Sequence, residues 1–348
     1  MAWAKLNYSN KQIKRAGNVL AGRDDSMSYA EAMEVMNNWR SFHSYPLNVI
    51  QMNLRQMAHK YSQDVLISQR LKRVDSIINK LKIFTIMPLS SMQDIGGCRA
   101  VMDDMAQVNK LVEFYLTKSE TYHKRVKEND YIKEPKDTGY RSYHLVYEYK
   151  SKFPKHAVFN GVQIEVQIRT KIQHAWATAV ETAGMFLKTA LKSNQGSEDW
   201  LRFFRLCGSL FAIAEDNPID TELGNIDTIK VEIRALNKKL DAINKLQLYN
   251  SSIKLLEGKK KAKEKYFILE LDTQQNQLRI LPFTSEQFEK ASETYLSLEK
   301  ERKAGFDVVL VSAESVEILR RAYPNYFSDT SFFVEVFNRS MNLTSRST

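Results

Sequence analysis

Apolar and polar positions divide the chain into a helical beginning, a mixed middle and a mixed end. The first 70 residues read as helices. Ser28 stands three residues before Glu31, the spacing of a capping box, and Glu34 adds negative charge near that helix start. Over residues 65–83 (VLISQRLKRVDSIINKLKI) the helical register continues, with Leu71, Val74, Ile78 and Leu81 on one stripe and Arg70, Arg73 and Lys80 on the adjacent, basic one.

The period then changes. Residues 96–102 (GGCRAVM) open with glycines and run apolar, as a buried strand does. A helix is predicted over 105–118, then a polar basic loop to Gly139, then a strand over 143–149 (YHLVYEY). Residues 162–168 (VQIEVQI) alternate strictly, placing Val162, Ile164, Val166 and Ile168 on one face and Gln163, Glu165 and Gln167 on the other. A helix follows Thr170, running through Trp176 and Val180, and residues 184–217 read as mostly helical up to the break at Asn217-Pro218. Residues 227–265 form a long helical pattern ending in KKKAKEK. A hairpin is expected at 266–271 and 277–281, a helix at 286–302, a strand at 308–312 and a helix at 314–322.

The fold class expected is therefore α+β: a core with a mixed β-sheet flanked by helices over 1–215, a helical connector over 216–264, and a small α/β module over 265–348. With 348 residues, about two domains are expected. Hydrophobic content of 43% beside 26% charged residues fits a folded chain. No apolar run reaches the ~18 residues of a membrane span, and the start lacks a signal-peptide core. Cys98 and Cys207 are too few for a disulfide framework and read as buried thiols, so a cytoplasmic protein is expected. The net charge of +10 predicts attraction to polyanions such as nucleotides or RNA. The lysine-rich run reads as a solvated connector, with nucleic-acid contact the alternative.

Three short segments carry candidate chemistry. In DIGGCR, Asp94 precedes a glycine-opened strand and can hold Mg²⁺, which prefers carboxylates and substrate phosphates. Arg99 can clamp phosphate or stack on a base. In KDTGYRSYH, Gly139 permits a tight loop that leaves the ring of Tyr140 free for stacking, between the cations Lys136 and Arg141. In EVQIRT, Glu165, Gln167 and Arg169 share the polar face of a strand, a set suited to Mg²⁺, a ribose hydroxyl and phosphate. Each segment taken alone also reads as an ordinary turn, loop or solvent-facing strand.

Together and in this order, DIGGCRAV, KDTGYRSYHLVYEYK and IEVQIRTKIQHAWATAVE resemble the synthetase domain of the RelA/SpoT family, over roughly residues 40 to 215. The resemblance implies a nucleotidyltransferase-like core that moves the pyrophosphate of ATP onto a ribose hydroxyl. It implies Mg²⁺ held by Asp94 and Glu165, with Glu165 also activating the attacking hydroxyl. It implies an ATP site of Arg70, Arg73, Lys80 and Arg99, an acceptor base stacked on Tyr140, and polar positions at His144, Gln167 and Arg169. Six histidines without a His-Asp pair imply that the family's hydrolase domain is absent.

Small members of the family differ in acceptor. Some use GDP or GTP, a minority make the adenosine equivalent, and the toxic small alarmone synthetases modify the 3′-CCA end of tRNA. Roughly 130 residues follow position 215, more than the core alone needs. With Tyr323 and Tyr326 spaced as YxxY, the layout resembles the fused toxin–antitoxin members called CapRel, in which such a pair occludes the nucleotide site until a phage protein binds the C-terminal domain. The resemblance thus implies an autoinhibited anti-phage toxin acting on tRNA. The basic segment 118–133, with Lys124, Arg125 and Lys127, is a candidate tRNA track, and with Glu120, Glu128 and Asp130 interleaved it also reads as a solvated loop. The alternatives are a GDP- or GTP-using synthetase under C-terminal control and an inactive RNA-binding regulator. A tyrosine pair at this spacing also occurs in ordinary helix packing.

Overall fold

The computed structural model describes residues 3–117, 122–187, 197–252, 254–257, 264–272, 274–275, 277–300, 306–313 and 315–343. Three helices open the chain: α1 (Asn10–Leu20), α2 (Tyr29–Phe42) and α3 (Ser44–Ala58). A full capping box starts α1, where Ser9 Oγ accepts the Gln12 N–H and Gln12 returns a bond to the Ser9 N–H. At α2, Ser28 Oγ accepts the Glu31 N–H at 3.2 Å. There follow β1 (Leu66–Leu71), α4 (Val74–Ile83), β2 (Gly96–Met102), α5 (Met105–Thr117), β3 (Lys124–Asp130), β4 (Tyr143–Glu148) and β5 (Gln163–Thr170). Next come α6 (Lys171–Phe186), α7 (Glu198–Ala214), α8 (Ile226–Leu240) and α9 (Ala242–Ser252). The chain ends with β6 (Lys254–Glu257), β7 (Glu264–Asp272), β8 (Gln277–Thr284), α10 (Phe288–Lys300), β9 (Phe306–Ser312), α11 (Val316–Ala322) and α12 (Ser331–Met341).

The architecture is mixed α+β. One nine-stranded sheet runs in the order β3-β4-β5-β2-β1-β9-β7-β8-β6. β2 and β5 are parallel, while β1–β2, β4–β5 and β3–β4 are antiparallel. The seam between β1 and β9 is short, pairing only Gln69 with Ser312 and Arg70 with Val311. One face packs Ile67, Cys98, Ala100, Leu145 and Val166 with buried residues of α3 and α5, and Tyr266, Ile268 and Leu310 with residues of α10. On the other face Val101, Phe267, Leu269 and Val311 lie with Tyr323, Tyr326 and Phe327. A second cluster joins α6, α7, α8 and α9 to Phe333, Val336 and Phe337 of α12. Sheet and helix cluster therefore both cross the positions, 216 and 265, where the sequence suggested boundaries.

Four elements differ from expectation. Residues 65–83 are not one helix: β1 comes first, because 66–71 pair with β2 and Gln69 and Arg70 also pair with β9, and Arg73 in an extended conformation (φ −61, ψ 146) begins α4. Arg70 thus lies on a strand. The basic segment expected to be a loop contains the edge strand β3, paired to β4 through a bulge between Arg125 and Lys127. The long helix expected after 227 is cut by Asp241 in the left-handed conformation (φ 55, ψ 40) and then yields β6. Of KKKAKEK, residues 259–263 lie outside the described residues. Helix α12 carried no expectation at all. Both cysteines are buried, as expected. No helix among the described residues is long and apolar enough to cross a membrane.

Candidate active site

Strand register gathers the polar residues. Glu165 and Gln167 of β5 lie beside Gly97 and Arg99 of β2. Arg70 and Ser68 of β1 flank the same two β2 positions, and His144 of β4 stands opposite Gln167. Paired residues share a face, so β1, β2, β4 and β5 present one polar surface.

A chain of hydrogen bonds crosses it. The Tyr140 hydroxyl meets His144 Nε2 at 2.9 Å, and His144 Nδ1 meets Glu165 Oε1 at 2.9 Å. Gln167 Nε2 donates to Glu165 Oε2 at 2.7 Å, and Arg99 Nε donates to Gln167 Oε1 at 3.2 Å. Both oxygens of Glu165 are thereby fixed. Burial alone pushes the Glu165 carboxyl up, but His144, Gln167 and Lys72 outweigh it and hold the group well below the usual range. Burial pushes His144 down, while Tyr140 and Glu165 overcome this and raise it above its ordinary value. The Glu165 carboxylate is thus ionised and oriented, although the lowered pKa weakens it as a proton acceptor.

Asp94 sits just before β2. Its Oδ2 accepts from Lys72 Nζ at 2.9 Å and Lys80 Nζ at 2.8 Å, and its buried Oδ1 has no hydrogen-bond partner among the described residues. Burial and the nearby Glu165 raise the Asp94 carboxyl, but the two lysines win and lower it. Ser68, Arg70, Lys72, Asp94, Arg99 and Tyr323 are among the residues lining a cleft of about 50 Å³. Pockets that hold drug-sized ligands run from roughly 300 to 1,000 Å³. The cleft in this conformation is too small for a nucleotide.

One C-terminal residue, Tyr323, lines the cleft, and its neighbours anchor that segment nearby. Tyr323 is buried and donates from its hydroxyl to the Gln69 carbonyl at 2.6 Å. Tyr326 is fully buried; Arg73 Nη1 donates to its hydroxyl at 3.4 Å and also ion-pairs with Asp307. Arg321 binds both oxygens of Asp64 at 2.9 Å. Burial and the neighbouring Arg169 keep His174 neutral, so its Nδ1 accepts from Arg169 and its Nε2 donates to the Arg321 carbonyl at 3.3 Å.

The structure thus brings together Asp94, Glu165, Arg70, Lys80, Arg99, His144 and Gln167. Arg73 is instead engaged by Asp307 and Tyr326. Tyr140, expected to stand free, is only 4% exposed and packs in the helical cluster beside Trp176. Its loop is pinned because Gly139 (φ +86) lies against the backbone of Arg205 and Gly208. Arg141 is buried and donates to the Ile132 carbonyl, away from Glu165. Arg169 is buried and occupied by His174. Lys136 is exposed and lies 4.5 Å over the Tyr131 ring and 5.2 Å over that of Tyr140. Lys124, Arg125 and Lys127 are exposed on β3.

Sequence reasoning missed Lys72, Gln69 and Asp307. Read as helix, 65–83 leaves Lys72 off the basic stripe. Its placement comes from a strand end, where its N–H bonds to the Ile95 carbonyl at 2.7 Å beside Asp94. A strand reading of 66–71, with Ser68 and Arg70 alternating against Ile67, is the signal that points to it.

Residues 69–189 match the family model described as a region found in RelA/SpoT proteins, and all of the cleft residues from Asp94 to Gln167 fall inside that stretch. The chain is 37% identical over 120 residues to the GTP pyrophosphokinase YjbM of Bacillus subtilis (strain 168), covering 32% of this chain and 52% of that protein. It is 27% identical over 161 residues to the GTP pyrophosphokinase YwaC of the same organism, covering 45% and 71%. The chain thus spans about half the length of the first of these relatives. Among solved structures, it is similar to the small alarmone synthetase 1 from Bacillus subtilis bound to its product pppGpp. There the identity is 24% and the TM-score 0.43, over 51% of this chain and 93% of that one.

Proposed function

We propose that this chain is an ATP-dependent pyrophosphokinase that transfers the β,γ-pyrophosphate of ATP to the ribose 3′-hydroxyl at the CCA end of tRNA. The observation that carries the reaction class is one polar face joining Asp94 and Glu165 with Arg70, Lys72, Lys80 and Arg99, inside the stretch shared with RelA/SpoT proteins. In the reaction the 3′-oxygen attacks the β-phosphorus, the bond to the α-phosphate oxygen breaks, AMP leaves, and the hydroxyl proton passes to Glu165. His144 and Gln167 orient that carboxylate, while the cations neutralise the triphosphate.

Mg²⁺ fits the residues present. The described residues contain no cluster of three or more His, Cys, Asp and Glu, but Mg²⁺ on a nucleotide needs only one or two carboxylates beside phosphate and water. Asp94, with its unpartnered buried Oδ1, and Glu165 would hold it. When bound, it supplies charge neutralisation at the transferring phosphates.

For the acceptor, the net charge of +10 and the exposed Lys124, Arg125 and Lys127 favour a polyanion. The second reading, transfer to GDP or GTP, is favoured by relatives named GTP pyrophosphokinases. ATP labelled in its γ-phosphate, offered with deacylated tRNA, GDP and GTP, separates them. Label on tRNA is the expected result, and label on GDP or GTP alone overturns the tRNA assignment.

The same reading makes the chain a fused toxin and antitoxin used against phage, released when a phage protein binds the C-terminal module. Its support is the small cleft, the Tyr323 bond to Gln69, and the capture of Arg73 by Asp307 and Tyr326.

A further inference from the structure

Beyond Lys124, Arg125 and Lys127, the proposed chemistry leaves an adjoining basic surface unused. At the start of edge strand β3, Tyr122 and His123 lie beside the connection from β4 to β5. The Lys150 N–H bonds to His123 Nδ1 at 3.2 Å, and Lys152 Nζ lies 4.8 Å over the Tyr122 ring. Lys124, Lys150, Lys152 and Lys155 are all exposed there. Lys150 makes a loose ion pair with Glu148 at 3.9 Å, and the other three have no carboxylate at ion-pair distance among the described residues. Two large rings stand in solvent among these charges, Phe153 at 67% and Tyr122 at 53% exposed.

The combination selects a partner. Lysines with at most a loose counter-ion among the described residues neutralise phosphates without demanding one geometry. Exposed rings between them offer faces on which unpaired bases stack. The position matters as well. Val146 pairs with Glu165, and at about 3.4 Å per extended residue Lys150, just past the end of β4, lies about 14 Å further along the chain. A nucleic acid whose terminal ribose reached Glu165 would have its next few nucleotides over this surface.

We propose that the β3 start and the β4–β5 connection form a docking surface for RNA just behind the reacting 3′ end, with lysines on phosphates and Phe153 and Tyr122 stacking bases. The proposal rests on tRNA being the acceptor, and its test reads binding separately from turnover.

Retention of labelled deacylated tRNA and of a blunt RNA duplex is measured over a salt series, with the full chain and exposed-surface variants. The triple variant Lys150→Ser, Lys152→Ser, Lys155→Ser is expected to lower the log–log salt slope for tRNA by about 2, since each phosphate contact to a single strand contributes roughly 0.7. Lys152→Ser and Lys155→Ser singly should each give about a third of that change, which keeps the test intact if the triple variant melts early. Phe153→Ala is expected to weaken tRNA binding roughly five- to hundredfold while leaving the blunt duplex unaffected. Parental slope and affinity in these variants overturn the proposal. So does a triple variant that keeps RNA affinity but loses binding to phosphatidylglycerol vesicles. If the parent transfers label only to GDP or GTP and the variants still lose tRNA binding, the surface stands and the acceptor assignment falls.

Discussion

The hydroxyl of Tyr323 donates a 2.6 Å hydrogen bond to the backbone carbonyl of Gln69, 254 residues earlier in the chain. Gln69 precedes Arg70, so this bond seats the C-terminal segment on the strand that carries Arg70 of the proposed donor site. Tyr323→Phe keeps the ring and removes the bond, about 1 kcal/mol, which is roughly fivefold in any closed-to-open equilibrium. Basal transfer of label from ATP should rise severalfold in that variant, and further in Tyr323→Ala and Tyr326→Ala. Equal basal rates in parent and all three variants would sink the closing role of the pair.

Arg40 of α2 and Glu299 of α10 form a buried ion pair at 3.4 Å, with the Arg40 guanidinium 4.5 Å over the Tyr295 ring. Removing one partner leaves the other charge buried. Arg40→Met or Glu299→Leu alone should cost about 3–5 kcal/mol, while the double change should recover most or all of it. Thermal melts of the four proteins in this cycle provide the check. Additive losses in the double variant contradict a direct pairing.

Glu165→Gln preserves shape and the bond from Gln167 but removes the proposed proton acceptor. Transfer should fall by about 10²- to 10⁴-fold with only a small change in melting temperature. A variant retaining parental turnover would show that the hydroxyl proton leaves by another route.

Gly139 has a φ of +86, and a Cβ there would lie 2.9 Å from Arg205 Cα; a Cβ on Gly208 would lie 2.6 Å from the Gly139 oxygen. Neither neighbour is a flexible side chain. Gly139→Ala should cost about 1–3 kcal/mol for its backbone alone, and should loosen the loop that carries Tyr140. Calorimetry gives the first, and the KM for the acceptor gives the second. A fully stable Gly139→Ala protein with unchanged KM is the contrary result.

Burial, only partly offset by Thr170, Gln173 and Arg141, pushes the Glu215 carboxyl up from its ordinary 4.5 to about 7. The folded chain therefore holds this proton more tightly than the unfolded one. Stability from this group is present below about pH 4.5 and is lost as pH rises through about 7, by roughly 3 kcal/mol. Glu215→Gln should therefore melt higher than the parent at alkaline pH and about equally in acid. Melts of both proteins across that range provide the measurement, and a constant difference at every pH contradicts it.

Much of the core was legible because its signals are local. Strict alternation in 162–168 places Glu165 and Gln167 on one face whatever the strand pairs with, and β2 was marked by its glycines and apolar run. A helix reading of 66–71 fails because apolar spacing in LISQRL satisfies a helix as well as a strand, and pairing with β2, joined by β9 at Gln69 and Arg70, decides between them. Edge strand β3 was hidden for a related reason: it is mostly solvent-facing and charged, so it lacks the alternation that marks a half-buried strand. The free ring expected at Tyr140 followed from the glycine before it. That same glycine instead lets the loop press onto α7 and carries the ring into the helical cluster.

By itself the sequence determined the chemical inventory: Asp94 and Glu165, the cations around them, and the strand periodicity that lines up the third motif. Periodicity and capping act within a few residues, so they can be read along a chain. Tertiary structure alone decided that Lys72 joins Lys80 on Asp94, that His144 bridges Tyr140 to Glu165, and that Tyr323, Tyr326 and Asp307 close over Gln69 and Arg73. Those contacts join positions from 4 to 254 residues apart. The longest arise only when β9 adds to β1, extending the core sheet into the C-terminal strands and carrying α11 onto its polar face.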